Sequence, residues 1–176
     1  MGKLNTQTVF ETERLIVRHY NADDADNFFL LNGDPEVMRY IRPVKSREET
    51  DHFFNEVIEY SKNNPAYGRM AVIEKQSGIF VGSFAIIPLD KTPYMQLGYS
   101  FLPSYWGKGF ATELTKEGLR YVFTKTDLKE IFAVTESMNI ASQHVLLKTG
   151  FNRHSAVTEG GKDLYRFILL KQDFRV

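Results

Sequence analysis

SYWGKGFATE, residues 104–113, places two glycines and a lysine between an aromatic pair and the predicted first turn of a helix. Between Gly107 and this helix only Lys108 and Phe110 carry bulky side chains, so the amides from Gly107 to Thr112 can converge on one point. The N-terminus of a helix favours an anion there, through its dipole and its free N–H groups. The stretch therefore predicts an anion-binding turn, of the kind that holds a phosphate.

The same glycines allow other interpretations. A P-loop requires Gly-Lys followed by Ser or Thr, whereas Gly107-Lys108 is followed by Gly109, which excludes it. A dinucleotide-binding loop requires a glycine where Thr112 stands, and it follows the first strand of a βαβ unit. A nucleotide-dependent oxidoreductase is therefore a distant alternative. In a further interpretation, Gly107 and Gly109 form a tight turn that binds nothing.

A second polar segment starts another predicted helix downstream. Asn139 and Ser142 are three residues apart, which places an amide and a hydroxyl one turn apart on one face. The strand before the glycine turn ends in Phe101-Leu102-Pro103, where regular strand pairing is interrupted. The amide of Asn139 and the hydroxyl of Ser142 can meet the same ligand, and together with the glycine turn this favours a binding site over an empty turn.

The composition limits the class of protein. The chain has 176 residues, of which 43% are hydrophobic, and its 22 basic and 22 acidic side chains leave no net formal charge. This balance argues against a nucleic-acid partner, which needs a basic surface. The absence of cysteine removes disulfides, thiolate metal ligands and a thiol nucleophile. No metal site is expected either, because the four histidines show no metal-ligand spacing.

No apolar run approaches the ~20 residues of a membrane span, and the N-terminus lacks an apolar signal core. Gly2 and Thr6 fit a loose myristoylation pattern that is short and common. We expect one domain over residues 1–176, with a core from about 11 to 171, in a cytoplasmic protein without membrane contact.

Hydrophobic periodicity and turn residues predict an α+β protein with a mixed sheet, in the order β-α-α-α-β-β-β-α-β-α-β-β. Ser46 and Glu49 form a predicted capping box, and Gly150 is expected to stop the last helix. The predicted strands cover residues 13–20, 69–75, 79–89, 94–102 and 130–137 and a closing hairpin around 159–162. The predicted helices begin near residues 23, 34, 46, 111 and 139.

The glycine stretch resembles the coenzyme A pyrophosphate loop of the GNAT superfamily of N-acetyltransferases, whose pattern is Gln/Arg-x-x-Gly-x-Gly/Ala. Trp106 stands where Gln or Arg is usual, and Gly109 and Ala111 fill the other two positions. The longer motif Y-W-G-K-G-Y/F-A-T-E is similar to that of the RimJ/RimL type of this superfamily, which acetylates ribosomal-protein N-termini.

Three further stretches resemble segments of the same type, in the same order. They are TERLIVR (residues 12–18), DPEVMRYI (34–41) and NIASQHVLLKTGF (139–151). The likeness extends from about residue 11 to residue 170, nearly the whole chain.

The resemblance implies a fold in which two neighbouring parallel strands, ending near Leu102 and Ser137, splay apart with acetyl-CoA in the gap. Backbone groups of Phe101 and Leu102 would pair with the pantetheine arm, and the glycine turn would hold the pyrophosphate. The cofactor-binding residues implied are Phe101, Leu102, Trp106, Gly107, Lys108, Gly109, Phe110, Ala111, Thr112, Asn139 and Ser142. By analogy, Tyr40, Arg42 and Arg69 would line the acceptor pocket, although aromatic packing and surface charge explain them equally well.

The resemblance also implies direct acetyl transfer to an amine in a ternary complex, which needs no covalent nucleophile. Ser142 is our candidate for the acid that protonates the departing thiolate; otherwise it is a helix-cap serine. Gln96 stands where the RimJ/RimL type often carries a glutamate base, and an amide cannot accept the proton of the amine. Glu136 could replace that base or be a solvated carboxylate.

Without a base, an α-amine is favoured over a lysine, because at neutral pH a larger fraction of it is unprotonated. The acceptor remains open among a protein or peptide N-terminus, an antibiotic and a small amine, and the RimJ/RimL type often forms homodimers. A non-catalytic acyl-CoA-binding domain of the same fold is the main alternative.

Overall fold

The computed structural model describes residues 8–175, in which eight strands and five α-helices lie. The strands are β1 (Thr8–Glu11), β2 (Leu15–His19), β3 (Gly68–Glu74), β4 (Phe80–Pro88), β5 (Met95–Phe101), β6 (Glu130–Glu136), β7 (Asn152–Glu159) and β8 (Lys162–Leu170). The helices are α1 (Ala25–Asn32), α2 (Pro35–Met38), α3 (Arg47–Asn63), α4 (Phe110–Lys125) and α5 (Ile140–Lys148).

The predicted class and element order are confirmed, with one strand added at the start. The added strand is β1, which was not predicted from the sequence and pairs antiparallel with β2 through Phe10 and Val17. The capping box of α3 is present, with Ser46 accepting from the Glu49 amide and Glu49 accepting from the Ser46 amide. The myristoylation pattern at Gly2 and Thr6 lies outside the described residues.

The strands form one sheet in the order β1-β2-β3-β4-β5-β6-β8-β7. Each neighbouring pair among the described strands is antiparallel except β5 with β6, which run parallel. A parallel pair needs a crossover connection, and the segment containing α4 supplies it here. The glycine turn therefore lies between the end of β5 and the start of α4.

Helices cover both faces of the sheet. On one face, Leu114, Leu119 and Val122 of α4 and Leu146 of α5 pack in a core with side chains of β2 to β6 and β8. On the other face, side chains of α1, α2 and α3 surround a smaller aromatic core around Phe28. Successive residues of β3 serve both cores, since Met70 and Val72 join the first and Ala71 joins the second.

Within residues 8–175, no helix combines the length and the apolar character needed to cross a membrane. The described His, Asp and Glu side chains also form no group of three or more that could hold a metal ion.

Candidate active site

A gap opens in the sheet between β5 and β6. The two strands share one ladder position, Gln96 opposite Phe132, and beyond it towards Phe101 no further pairing joins the described residues of the two strands. On its other side, β5 pairs with β4 along its whole length, up to Phe101 opposite Gly82. The predicted splaying of two parallel strands is thus present in the fold.

The direction of the backbone groups along β5 follows from its pairing with β4. The Leu102 N–H donates to the Val81 carbonyl over 2.9 Å, and alternate residues of an antiparallel strand face the same neighbour. Tyr99 and Phe101 therefore turn their backbone groups towards the gap. Phe101 was predicted for this role from the sequence, whereas Tyr99 was not.

Leu102 is not available for the backbone pairing that the sequence suggested. Besides the bond to Val81, its carbonyl accepts from the Tyr105 N–H over 2.9 Å. Its side chain packs against the aromatic core under α1 to α3. Leu102 therefore ends the strand and does not face the gap.

The glycine turn presents a row of free amides. Gly107 and Gly109 have φ values of 71° and 80°, a left-handed conformation that favours glycine, and Gly109 caps α4. None of the six N–H groups from Gly107 to Thr112 donates to an acceptor within residues 8–175. Six unsatisfied donors at a helix N-terminus match the requirements of a phosphate or pyrophosphate group.

The turn is fixed from the opposite side by the chain between β1 and β2. Arg14 donates from its guanidinium to the Lys108 carbonyl over 3.0 Å and pairs with Glu113 over 2.7 Å. Thr12 donates to the same carboxylate. Burial would raise the pKa of Glu113, but the hydrogen bonds from Thr12 and Arg14 outweigh it and lower that pKa. Glu113 is therefore ionised, and Arg14 balances its negative charge. The pair lies at the same end of α4 as the free amides.

The larger side chains of the turn differ in their placement. The Trp106 indole is half exposed and donates to the Phe101 carbonyl over 2.7 Å, so only its ring faces the cleft. Phe110 is buried between Phe101 and Tyr105 and contributes its amide alone. The Lys108 ammonium lies 4.8 Å from the Tyr105 ring centroid and outside the cavities described below, so its predicted role in cofactor binding stays with its backbone amide.

Two cavities adjoin along the gap. We call the first the glycine-loop cavity, of about 470 Å³, whose lining includes Trp106, Gly107, Gly109, Phe110, Ala111 and Thr112. We call the second the arginine cavity, of about 580 Å³, whose lining includes Arg42, Arg69, Gln96 and Glu136. Six residues line both cavities, namely Tyr40, Ile41, Tyr99, Ser100, Asn139 and Ser142. Molecules in the two cavities would meet at these residues.

Two hydroxyl groups lie close together at this junction. The Tyr99 hydroxyl donates to Ser142 Oγ over 3.4 Å, and burial raises the pKa of Tyr99 more than this bond lowers it. Asn139 Oδ1 accepts from the Ser142 amide over 3.1 Å and so caps α5. The helix cap fixes the backbone of Ser142, while its hydroxyl group can rotate and so point its hydrogen at a ligand. No signal in the local sequence pointed to Tyr99, because its partner is 43 residues away.

The candidate base Glu136 and the amide of Gln96, which stands at the usual position of the base, both have partners in the protein. Gln96 Nε2 donates to the Pro88 carbonyl over 3.2 Å. The Glu136 carboxylate forms an ion pair with Lys162 and is largely buried. Neither side chain offers an unpaired carboxylate to an incoming amine, in line with the difficulty raised by Gln96 in the sequence.

Comparison with known proteins agrees with this fold. A family model described as an acetyltransferase (GNAT) domain matches residues 14–152, and the chain belongs to this family. One relative is the uncharacterized N-acetyltransferase p20 of Bacillus licheniformis, 28% identical over 93% of this chain and 96% of its own length. The protein is therefore an acyltransferase that uses acetyl-CoA. The RimJ/RimL type stays a prediction.

Solved structures show the same architecture. A GNAT-family acetyltransferase from Bacillus anthracis superposes with a TM-score of 0.80 at 26% identity, over 92% of this chain and 98% of its own. The spermidine N-acetyltransferase of Vibrio cholerae, in complex with coenzyme A and spermine, has a TM-score of 0.78 at 22% identity, over 91% and 97%. At this identity the second likeness concerns the fold alone.

Replacing Gly109 with alanine is expected to weaken acetyl-CoA binding about tenfold. The left-handed conformation costs a non-glycine residue about 1–2 kcal/mol, and the free protein would relieve this strain by leaving the conformation in which the amides of the turn converge. The matched control is Gly78→Ala, since Gly78 has a φ of 70° in the turn between β3 and β4 and open space around it. Both variants should lose similar thermal stability, and only Gly109→Ala should change the Kd in isothermal titration. An unchanged Kd of Gly109→Ala for acetyl-CoA would show that the glycine turn is not part of the binding site.

Proposed function

We propose that this chain, as one GNAT domain of the RimJ/RimL type, acetylates a primary amine by direct attack on acetyl-CoA in a ternary complex. The α-amine of a peptide or protein N-terminus is the favoured acceptor. The observation that carries this proposal is the junction of the two cavities at Tyr99, Asn139 and Ser142. An acyl donor in one cavity and an amine in the other reach each other there, and such positioning supplies a large part of catalysis.

The residues that would hold acetyl-CoA are those that face the gap. The amides from Gly107 to Thr112 bind the pyrophosphate. The backbone groups of Tyr99 and the N–H of Phe101, whose carbonyl accepts from Trp106, pair with the pantetheine arm. Acetyl-CoA supplies the activated acyl group as a thioester. Attack of the neutral amine on the thioester carbonyl breaks the C–S bond and leaves a positively charged nitrogen. Ser142 donates its hydroxyl proton to the departing thiolate and regains one when that nitrogen gives up its proton through solvent. Tyr99 donates a hydrogen bond to Ser142 and so makes its hydroxyl more acidic.

The amine has to enter the arginine cavity without a protein base that removes its proton. Gln96 is an amide, and Glu136 is held by Lys162. An amine that is already partly neutral at physiological pH reacts without such a base, and this favours an α-amine over a lysine. We expect a cytoplasmic protein, with a homodimer as its assembly.

The test is acetyl-CoA cleavage by the purified protein, with the free thiol detected and the acetylated position located by mass spectrometry. Thiol release should require an amine, and the acetyl group should appear on an α-nitrogen of a short peptide. Coenzyme A binding without amine-dependent thiol release would instead support the non-catalytic alternative. Acetylation of lysine alone would contradict the favoured acceptor.

A further inference from the structure

Two arginines in the arginine cavity have no anionic partner in the protein. Arg42 follows α2, Arg69 lies in β3, and both side chains are only partly accessible. Neither forms an ion pair or a side-chain hydrogen bond with any residue between 8 and 175, and Arg42 Nε is fully buried without an acceptor. Most buried polar groups in proteins are hydrogen-bonded, so this pair is an exception that requires an explanation.

The two guanidinium groups converge on one aromatic ring. Arg42 Cζ lies 5.0 Å and Arg69 Cζ 5.4 Å from the Phe53 ring centroid, and Lys45 Nζ lies 5.6 Å from it. Burial, together with the charge of Arg42, lowers the pKa of Arg69 to about 10, and burial lowers the pKa of Arg42. Both remain cations at neutral pH. Contact with one ring compensates little of the cost of placing three positive charges together.

The carboxylates of the same cavity do not offset this charge, because they already have partners. Glu136 pairs with Lys162, and Glu159 pairs with Arg166 over 3.0 Å. These are the carboxylates among the described residues that line the cavity. Two positive charges therefore remain unbalanced in a cleft, and an anion of suitable size would satisfy both their charge and their N–H donors.

This anion does not belong to acetyl-CoA as placed in the proposed function. Arg42 and Arg69 line the arginine cavity and are absent from the lining of the glycine-loop cavity, which contains the free amides of the turn. The pyrophosphate thus has its own donors. An anion that binds Arg42 and Arg69 would therefore have to belong to the other substrate, the acceptor.

We propose that the acceptor amine carries an anionic group, a carboxylate or a phosphate, which Arg42 and Arg69 bind while the amine faces Ser142. The inference rests on the proposed function for the reaction and adds a requirement on the substrate. It disfavours polyamines, since spermidine or spermine would bring further positive charge next to two unpaired arginines. The Lys45 ammonium, 5.6 Å from the centroid of the same ring, adds to the attraction of an anion.

The first test compares matched acceptors on the unmodified protein. The carboxylate arm uses alanine against alaninamide and the peptide Asp-Ala-Ala-amide against Asn-Ala-Ala-amide. The phosphate arm uses phosphoethanolamine against ethanolamine, and spermidine serves as the cationic probe. Each kcat/KM is divided by the neutral fraction of its amine, measured by titration. We expect the anionic member to be preferred about 10- to 100-fold in at least one arm, and that arm identifies the anion.

The second test removes the charges. Arg42→Gln and Arg69→Gln should each reduce the preference for the anionic member about tenfold or more through KM, with the kcat for the neutral member little changed. Arg120→Gln, on the exposed side of α4 and outside both cavities, is the matched control. Unchanged coenzyme A binding shows that a variant is folded. A preference that survives both substitutions would overturn the inference.

Isothermal titration of the same pairs into the coenzyme A-bound protein separates this inference from the proposed function. Preferred binding of the anionic members without thiol release would support the anion site and contradict the transfer reaction. Equal binding and equal turnover of charged and neutral members in both arms would overturn the anion site, whether or not the protein acetylates them.

Discussion

Replacing Ser142 with alanine is expected to lower kcat about 100-fold and to leave the KM for acetyl-CoA nearly unchanged. General acid catalysis by a positioned side chain typically contributes about 10²- to 10⁴-fold, and the lower limit applies to a hydroxyl that donates to a good leaving group. Ser142 lies where the two cavities meet, and its amide is fixed by Asn139. Its loss should therefore affect the chemical step and not the binding of either substrate.

The comparison with Tyr99→Phe decides which hydroxyl is the acid. If Ser142 donates the proton and Tyr99 assists it over 3.4 Å, the tyrosine variant should lose about tenfold in kcat. A larger loss for Tyr99→Phe than for Ser142→Ala would make Tyr99 the direct donor. Ser155→Ala, in β7 and outside both cavities, is the matched control. The kcat of each variant is measured from the release of free thiol. Full activity in both Tyr99→Phe and Ser142→Ala would show that neither hydroxyl takes part in the mechanism.

A peptide with a free α-amine is expected to react hundreds of times faster at pH 7 than the same peptide with a blocked N-terminus and a lysine. An α-amine of pKa ~7.8 is roughly 10–20% neutral at this pH, whereas a lysine of pKa ~10.4 is about 0.04% neutral. Because Gln96 cannot remove the proton and Glu136 is paired with Lys162, the enzyme does not correct this difference. The logarithm of kcat/KM should rise with unit slope up to about pH 7.8 for the α-amine and continue to rise for the lysine.

The measurement is the pH profile of kcat/KM for both peptides between pH 6 and 9. Gln96→Glu should narrow the difference by accelerating the lysine peptide, since it places a carboxylate in the arginine cavity where the amine enters. Comparable rates for the two peptides in the unmodified protein would mean that a base is present. In that case a loss of lysine acetylation in Glu136→Gln would identify it.

The sequence predicted those parts of the fold that depend on local patterns. The capping box at Ser46 and the glycine turn at Gly107 are set within a few residues, and the structure has both. The splay between β5 and β6 was implied by the resemblance and did not follow from periodicity. The short strand β1 was missed because its four residues, Thr8–Glu11, are too few to show an alternation.

The site contains contacts that no local pattern encodes. Arg14 and Glu113 are 99 residues apart in the chain, and Tyr99 and Ser142 are 43 apart, so only the packed sheet brings each pair together. The sequence also named Leu102 as a partner of the pantetheine arm. Which of two adjacent residues faces a gap depends on the register with β4, and this register is not visible in the side-chain pattern of β5.

The single ladder position between β5 and β6 has a consequence for affinity. A ligand that requires a rare open state binds more weakly in proportion to the population of that state. Here the gap is built into the sheet, since β5 is paired along its length with β4 and β6 with β8, while of their described residues only Gln96 and Phe132 pair across the gap. In the proposed placement of acetyl-CoA no strand has to be displaced, so we expect no such reduction of its affinity. The free energy that other proteins use to open a site is already included in the stability of this fold.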